Sequence, residues 1–201
     1  MQIDLTATPL RRATMQDWKQ LVDITTEAFA EDPVSRWVFG SPRGVRVAFQ
    51  VMARSIYLKH GICHLAGDDA ATMWARHGTD MSLSLPGMLK LAAGLTVYGS
   101  RGAIARATHA GELMAQYHPG SPHWYLFAIG TRQAARGTGL GKALLAPVLS
   151  ACDRDRMPVY LENSNPGNTR FYAAHGFERM QVFACGEGGP PLEAMWREPK
   201  S

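Results

Sequence analysis

Residues 136–145, Arg-Gly-Thr-Gly-Leu-Gly-Lys-Ala-Leu-Leu, set glycines at alternate positions and then turn at once into an apolar pattern of helical period. Glycine admits tight turns and close backbone approach, and the first turn of a helix offers N–H groups that have no intrahelical partner. Together these make a cradle for an anion, a phosphate above all. A plain loop closed by a helix cap has the same local composition, so the rest of the chain has to decide. Spacing excludes two common phosphate loops. A G-x-x-x-x-G-K-[ST] loop ending at Gly141-Lys142 needs glycine at 136, which is Arg136, and a hydroxyl at 143, which is Ala143. The dinucleotide fingerprint G-x-G-x-x-G begun at Gly137 needs glycine at 142, which is Lys142, and it normally follows the first strand of its unit.

Outward from this run the pattern alternates. Residues 123–131, HWYLFAIGT, read as a strand, and the helix after Gly139 carries Leu140, Ala143, Leu144, Val148 and Cys152 on one face. Pro147 lies inside that helix and is expected to bend it or end its regular part early. A strand over 157–165, MPVYLENSN, leads to a short helix through PGNTRFYAAH that Gly176 stops. FERMQVFACG and PPLEAMWREP read as two terminal strands separated by Gly186-Glu187-Gly188-Gly189.

The first half opens with a strand near 10–13 and a capping pair, Thr14 with Asp17. A helix follows with Trp18, Leu21, Val22, Thr25, Ala28 and Phe29 inward, and Pro33 breaks it. Residues 41–61 read as a second helix begun by Ser41-Pro42, its buried side Val45, Ala48, Phe49, Met52, Ala53 and Ile56. GICHLAG and AATMWARHG are two strands joined through Gly67-Asp68-Asp69, and 82–117 is helical in two pieces broken near Gly99 to Gly102. The expectation is one α/β domain, mixed α+β, over residues 1–201 with a helical insertion at about 82–117.

Composition narrows the partners. The chain has 201 residues and a formal charge of +4, with Lys and Arg scattered rather than in blocks, which argues against a nucleic-acid partner. Cys63, Cys152 and Cys185 lack metal-ligand spacing and are expected to be buried free thiols; no metal site is expected. Without an apolar secretory segment or a run of about 18 apolar residues, the expectation is a cytoplasmic protein with no membrane partner.

Two landmarks make a family resemblance. R136-x-x-G139-x-G141 after a strand resembles the Q/R-x-x-G-x-G/A signature of the GNAT superfamily of N-acetyltransferases, and NPGNTRFYAAHGFE resembles that family's second landmark, in family order and spacing. AEDPVSRWVF is similar to the family's acceptor-side loop, ATMWARHG to the strand before its helical insertion and PLEAMWREP to its last strand. The resemblance is to the small-molecule branch that includes puromycin-type resistance enzymes. It implies a mostly antiparallel central sheet, splayed between two middle strands and flanked by helices, and acetyl-CoA as donor, with CoA as product.

Residue by residue, the resemblance implies that the backbone of Arg136, Gly137, Thr138, Gly139, Leu140, Gly141 and Lys142 cradles the pyrophosphate. Arg136, Lys142 and Arg132 are candidates to add charge. Ala128, Ile129 and Thr131 lie beside the pantetheine arm, with Asn163 and Asn168 contacting it or orienting its surroundings, and a backbone N–H near Ile129 takes the oxyanion. Tyr172 points its hydroxyl at the departing sulfur. The amine arrives protonated and must lose a proton; Glu162, Asp32 and His77 are the candidate bases, Glu162 first, with water as an alternative. Trp37, Phe39, Trp74 and the insertion, with Met88 and Met114, are candidate walls for a small-molecule amine acceptor, and Asp32 and Glu31 are candidates to attract a cation. The implied reaction is acetyl transfer to a primary amine by direct attack in a ternary complex. The alternatives are O-acetylation, a protein or peptide N-acetyltransferase, or a non-catalytic CoA-binding sensor, in a monomer or homodimer.

Overall fold

The computed structural model describes residues 2–6 and 8–200. Among them, seven strands form one sheet in the order β1-β2-β3-β4-β5-β7-β6. The strands are β1 Leu10–Arg12, β2 Ile62–Ala66, β3 Ala70–Arg76, β4 Trp124–Thr131, β5 Val159–Asn163, β6 Glu178–Ala184 and β7 Pro191–Arg197. Every neighbouring pair is antiparallel except β4 and β5. That parallel pair is matched only at Trp124/Val159, Tyr125/Tyr160 and Leu126/Leu161. Beyond Leu126 and Leu161 the strands part, and the sheet is splayed at its middle as the resemblance implies. β4 bulges at the same place: Met73 pairs with Ala128 and Trp74 with Leu126, so Phe127 is surplus to the ladder.

Helices α1 Trp18–Ala28, α2 Pro33–Phe39, α3 Pro42–Met52, α5 Leu85–Tyr98 and α6 Ala103–Tyr117 lie toward one face. The core there joins Leu21, Val45 and Phe49 to Leu65, Met73 and Tyr125 of the sheet. Helices α7 Leu140–Arg154 and α8 Thr169–Ala174 cover the other face, where Leu145, Val148 and Cys152 meet Trp74, Leu126 and Leu161. Strand alternation assigns these faces, since side chains one residue apart point to opposite sides.

Three expectations change. The segment after Pro33, read as an acceptor-side loop, is helix α2. Pro33 occupies the first helical turn, where a missing N–H is harmless, and the Asp32 carboxylate caps it by accepting from the Ser35 N–H at 2.8 Å. Secondly, Pro147 does not end α7, which continues through Arg154. Burial of Leu144, Leu145, Val148 and Leu149 outweighs the bond that Ala143 loses to the proline. Thirdly, the helix read over 41–61 is not regular. After Met52 it passes through a π turn, Ala53–Tyr57, before ending in α4, Leu58–His60. Tyr57 leaves that turn fully buried and stacked on Phe127, centroids 4.5 Å apart.

Candidate active site

The glycine run forms a loop and helix start at the end of β4. Gly137 and Gly139 have φ of +80° and +87°, the left-handed region that a Cβ disfavours. A Cβ at either would meet nothing within 4 Å, so the loop stands open to solvent. Gly141 is glycine for another reason: a Cβ there would press on Phe171 Cζ at 3.2 Å. Gly139 is the N-cap of the 15-residue α7 and gives no side-chain cap. The first-turn N–H groups of α7 are thus left for an external anion, and the positive end of the helix dipole adds to their pull. This donor set fits a pyrophosphate.

Charged neighbours divide. Lys142 is exposed beside the loop. Arg136 donates to the Ala28 carbonyl at 3.2 Å, and Arg132 is engaged by Glu27 and by the Asp68 carbonyl at 2.7 Å. Arg132 therefore braces the loop rather than reaching for a phosphate, which corrects the role considered for it.

Inside the splay lies a cavity of about 360 Å³. Phe29, Val38, Phe39, Phe49, Met52 and Met114 give it apolar walls, and Ala128, Ile129, Glu162, Asn163, Asn168 and Tyr172 also border it. Thr131 lies farther along β4, toward the glycine loop, and does not line the cavity. Past Leu126, the β4 edge facing β5 has no strand partner, so its backbone groups are open to an extended ligand.

Two carboxylates differ sharply. Asp32 is buried and both its oxygens are engaged, one by the Ser35 N–H and the other by the Ser164 hydroxyl at 2.5 Å. Burial nevertheless raises its pKa above the ordinary value, against those hydrogen bonds. Glu162 has a side chain 2% exposed, and neither of its carboxylate oxygens has a hydrogen-bond partner. Its backbone carries the residue's remaining exposure, facing the splay. A carboxylate buried so deeply is costly, with the phenols of Tyr125 and Tyr160 as neighbouring donors, and the residue that carries it borders the cavity.

Tyr172, on α8, is buried at the cavity edge, and burial followed by the nearby Asp32 charge pushes its phenol pKa up. Its hydroxyl stays protonated, a hydrogen-bond donor rather than a base. Asn163 is locked: its amide donates to Glu193 at 2.8 Å and Thr169 at 3.2 Å, and its carbonyl oxygen accepts the Asn165 N–H. It orients the β5–α8 turn and has no free amide for a ligand. Asn168, exposed at the α8 start, makes no such side-chain cap.

Other candidates move away. Trp74 packs on the opposite sheet face. Trp37 stacks near Arg106 and does not line the cavity, and Glu31 pairs with Arg36 at the surface. Met88 is 49% exposed on α5, while Met52 and Met81 take the wall position assigned to it. His77 is exposed and does not reach the cavity. Sequence reasoning missed His118, whose Nδ1 stands 3.7 Å from Glu162 Oε1. All three cysteines are free and buried, as expected. Among the described residues no helix is long and apolar enough to cross a membrane.

Comparison with known proteins agrees with this geometry. Residues 98–177 match the model of the acetyltransferase (GNAT) family. An uncharacterized N-acetyltransferase of Schizosaccharomyces pombe is 26% identical, covering 95% of this chain and 83% of its own length. Among solved structures, a histone acetyltransferase HPA2 and related acetyltransferase from Corynebacterium glutamicum superposes with TM-score 0.69 at 24% identity, covering 96% of both chains. Arylalkylamine N-acetyltransferase 2 from Aedes aegypti gives TM-score 0.62 at 12% identity, covering 95% of this chain and 98% of its own. Domain match, splayed sheet and uncapped glycine loop agree: residues 98–177 are similar to a GNAT acetyltransferase domain, and the fold is that of the acetyltransferase structures it superposes on.

Proposed function

We propose that this protein transfers the acetyl group of acetyl-CoA to the primary amine of a small, largely apolar molecule by direct attack in a ternary complex. The observation that carries the reading is the cavity: apolar walls from α2, α3 and α6 end at the splay, with Glu162 at the apolar body's polar end. A polypeptide acceptor needs an open groove, whereas helices of the insertion cover this site. The same shape favours the small-molecule branch over protein or peptide acetylation, and Glu162 and Tyr172 favour chemistry over mere CoA binding.

In this reading the loop from Arg136 to Lys142 holds the pyrophosphate, with the pantetheine arm along the open edge of β4 at Ala128, Ile129 and Thr131. Holding amine and thioester together supplies much of the rate, since no covalent intermediate is required. Glu162 takes the ammonium proton. The nitrogen attacks the thioester carbon, a backbone N–H near Ile129 receives the oxyanion, and Tyr172 donates a hydrogen bond to the sulfur as the C–S bond breaks.

The test is release of free CoA thiol from acetyl-CoA with 2-phenylethylamine, tryptamine, an aminonucleoside, a polyamine and a peptide bearing a free N-terminus. Turnover with the apolar amines above the peptide is expected. Turnover with the peptide alone overturns the acceptor class; acetyl-CoA binding without any turnover leaves a CoA-binding domain.

A further inference from the structure

Behind Glu162, two histidines from the link between α6 and β4 form a chain that borders no part of the cavity. His123 Nδ1 lies 2.7 Å from the Ser121 carbonyl oxygen, and His123 Nε2 lies 3.0 Å from His118 Nε2. His118 Nδ1 then faces Glu162 Oε1 at 3.7 Å.

The protons can be assigned by elimination. A carbonyl only accepts, so His123 Nδ1 carries a hydrogen. His123 is 1% exposed, and burial pushes its pKa below the ordinary value; the neighbouring His118 and His77 reinforce this, and the Ser121 bond and the Glu162 charge oppose it without reversing it. Neutral His123 has a bare Nε2, which must accept, so His118 Nε2 donates. The Nδ1 of His118 is then the ring nitrogen left facing Glu162 Oε1, with the phenols of Tyr125 and Tyr160 as the carboxylate's other neighbours. A single proton can pass between the two.

We propose that Glu162 and His118 form a proton exit: the proton taken from the amine passes from Glu162 to His118 Nδ1 and on to water, with His123 fixing the tautomer that receives it. This rests on the acetyl-transfer reading of the cavity. The 3.7 Å gap is longer than a hydrogen bond and is closed by side-chain rotation or one water. His118 is suited to the last step because its side chain is 33% exposed while that of Glu162 is 2% exposed.

The surroundings keep the path single. His118 stands edge-on to Tyr125 of β4 and Tyr160 of β5, at 4.9 and 5.0 Å between centroids. Tyr57 comes from the π turn, and His77 follows β3, 5.6 Å from the His123 ring. Burial, and then the Glu162 charge, pushes the pKa of all three tyrosines up, so they keep their protons and do not divert the transferred one.

The balance closes with the amine and acetyl-CoA alone, without an oxidant. One N–H bond of the ammonium breaks and its pair stays on nitrogen; a Glu162 O–H forms and passes its proton to His118, which releases it to water. Attack then forms C–N as C–S breaks, a second amine proton ends on the CoA sulfur, and one proton leaves per turnover.

The experiment compares His118→Ala and His123→Phe with the parent protein, using acetyl-CoA and 2-phenylethylamine or the best amine of the panel. His118→Ala is expected to lower kcat at pH 7 by about 10²-fold, the lower end of general acid–base effects, with the amine KM little changed. Added imidazole restores kcat, and the deficit shrinks as rising pH supplies free amine. His123→Phe, which removes the tautomer lock, shows a smaller loss and a shifted pH profile. Unchanged kcat in His118→Ala, or a loss that neither imidazole nor pH relieves, overturns the exit while leaving acetyl transfer standing. Absence of turnover in the parent protein with every amine overturns the acetyl-transfer reading and the exit with it.

Discussion

Gly139→Ala separates what the glycine loop does for the fold from what it does for the donor. Gly139 has φ of +87°, and a Cβ built on it meets no protein atom within 4 Å. Placing an L-residue in the left-handed region costs about 1–2 kcal/mol, with no clash to add. For a protein of this size about 1 kcal/mol lowers Tm by roughly 2–4 °C, so the expected fall is roughly 2–8 °C. Gly188, in the turn between β6 and β7, is the matched control, with φ of +68° and open space around its Cβ. Gly188→Ala is expected to lose a similar amount of stability and bind acetyl-CoA normally. Gly139→Ala adds a methyl at the N-cap of α7, next to its first-turn N–H groups, so its acetyl-CoA affinity is expected to fall at least about tenfold, or about 1.4 kcal/mol. Thermal melts and titration calorimetry read the two effects separately. Parental affinity in Gly139→Ala, or equal affinity losses in both variants, refutes the assignment of this loop to the pyrophosphate.

Three further outcomes follow from the site and its frame. Glu162→Gln is expected to lower kcat/KM by about 10²- to 10³-fold at pH 7, the deficit closing as pH approaches the amine's own pKa near about 10, which an initial-rate pH profile will show. Tyr172→Phe lowers kcat more than it weakens acetyl-CoA binding in calorimetry, and equal kcat at every pH contradicts the hydrogen bond to sulfur. His64 is 1% exposed and burial, then Arg12, lowers its pKa to about 4, while in the unfolded chain it is near about 6.5. Since the unfolded state binds the extra proton, this contribution is complete above pH about 6.5 and shrinks as pH falls toward 4, by about 3 kcal/mol in all. Urea unfolding of His64→Gln at pH 7 and 4.5 is expected to show a flatter loss than the parent; parallel losses exclude the linkage.

The sheet and its break were legible because their signals are local. Alternating strands, the glycines that need left-handed backbone and the FY-containing helix all act within a few residues. Helix α2 was legible too, and overlooked: Asp32-Pro33 is a cap followed by a first-turn proline, a helix start rather than only a helix stop. Trp74 went to the wrong wall for a different reason. Alternation says that Met73 and Trp74 face opposite ways, but which faces the cavity depends on the pairing with β4, where Phe127 bulges. Asn163 stands where the resemblance expects an asparagine, yet its engagement depends on Glu193, 30 residues away. His118 and His123 stand in an irregular link with no period, and only the closure of α6 onto β4 and β5 brings them to Glu162.

The π turn gives chain length an angular meaning. A turn closed by i→i+5 bonds takes in one residue more than its helical flanks need. Deleting one residue from 53–56 lets the helix close regularly and leaves both flanks on their faces, because the wide turn and the α turn advance by about the same angle. Tyr57 then keeps its stack on Phe127, whereas a deletion from the regular helix before Ala53 turns everything after it by about 100°. The surplus residue is slack in a shaft: take it out and the shaft still fits its lock.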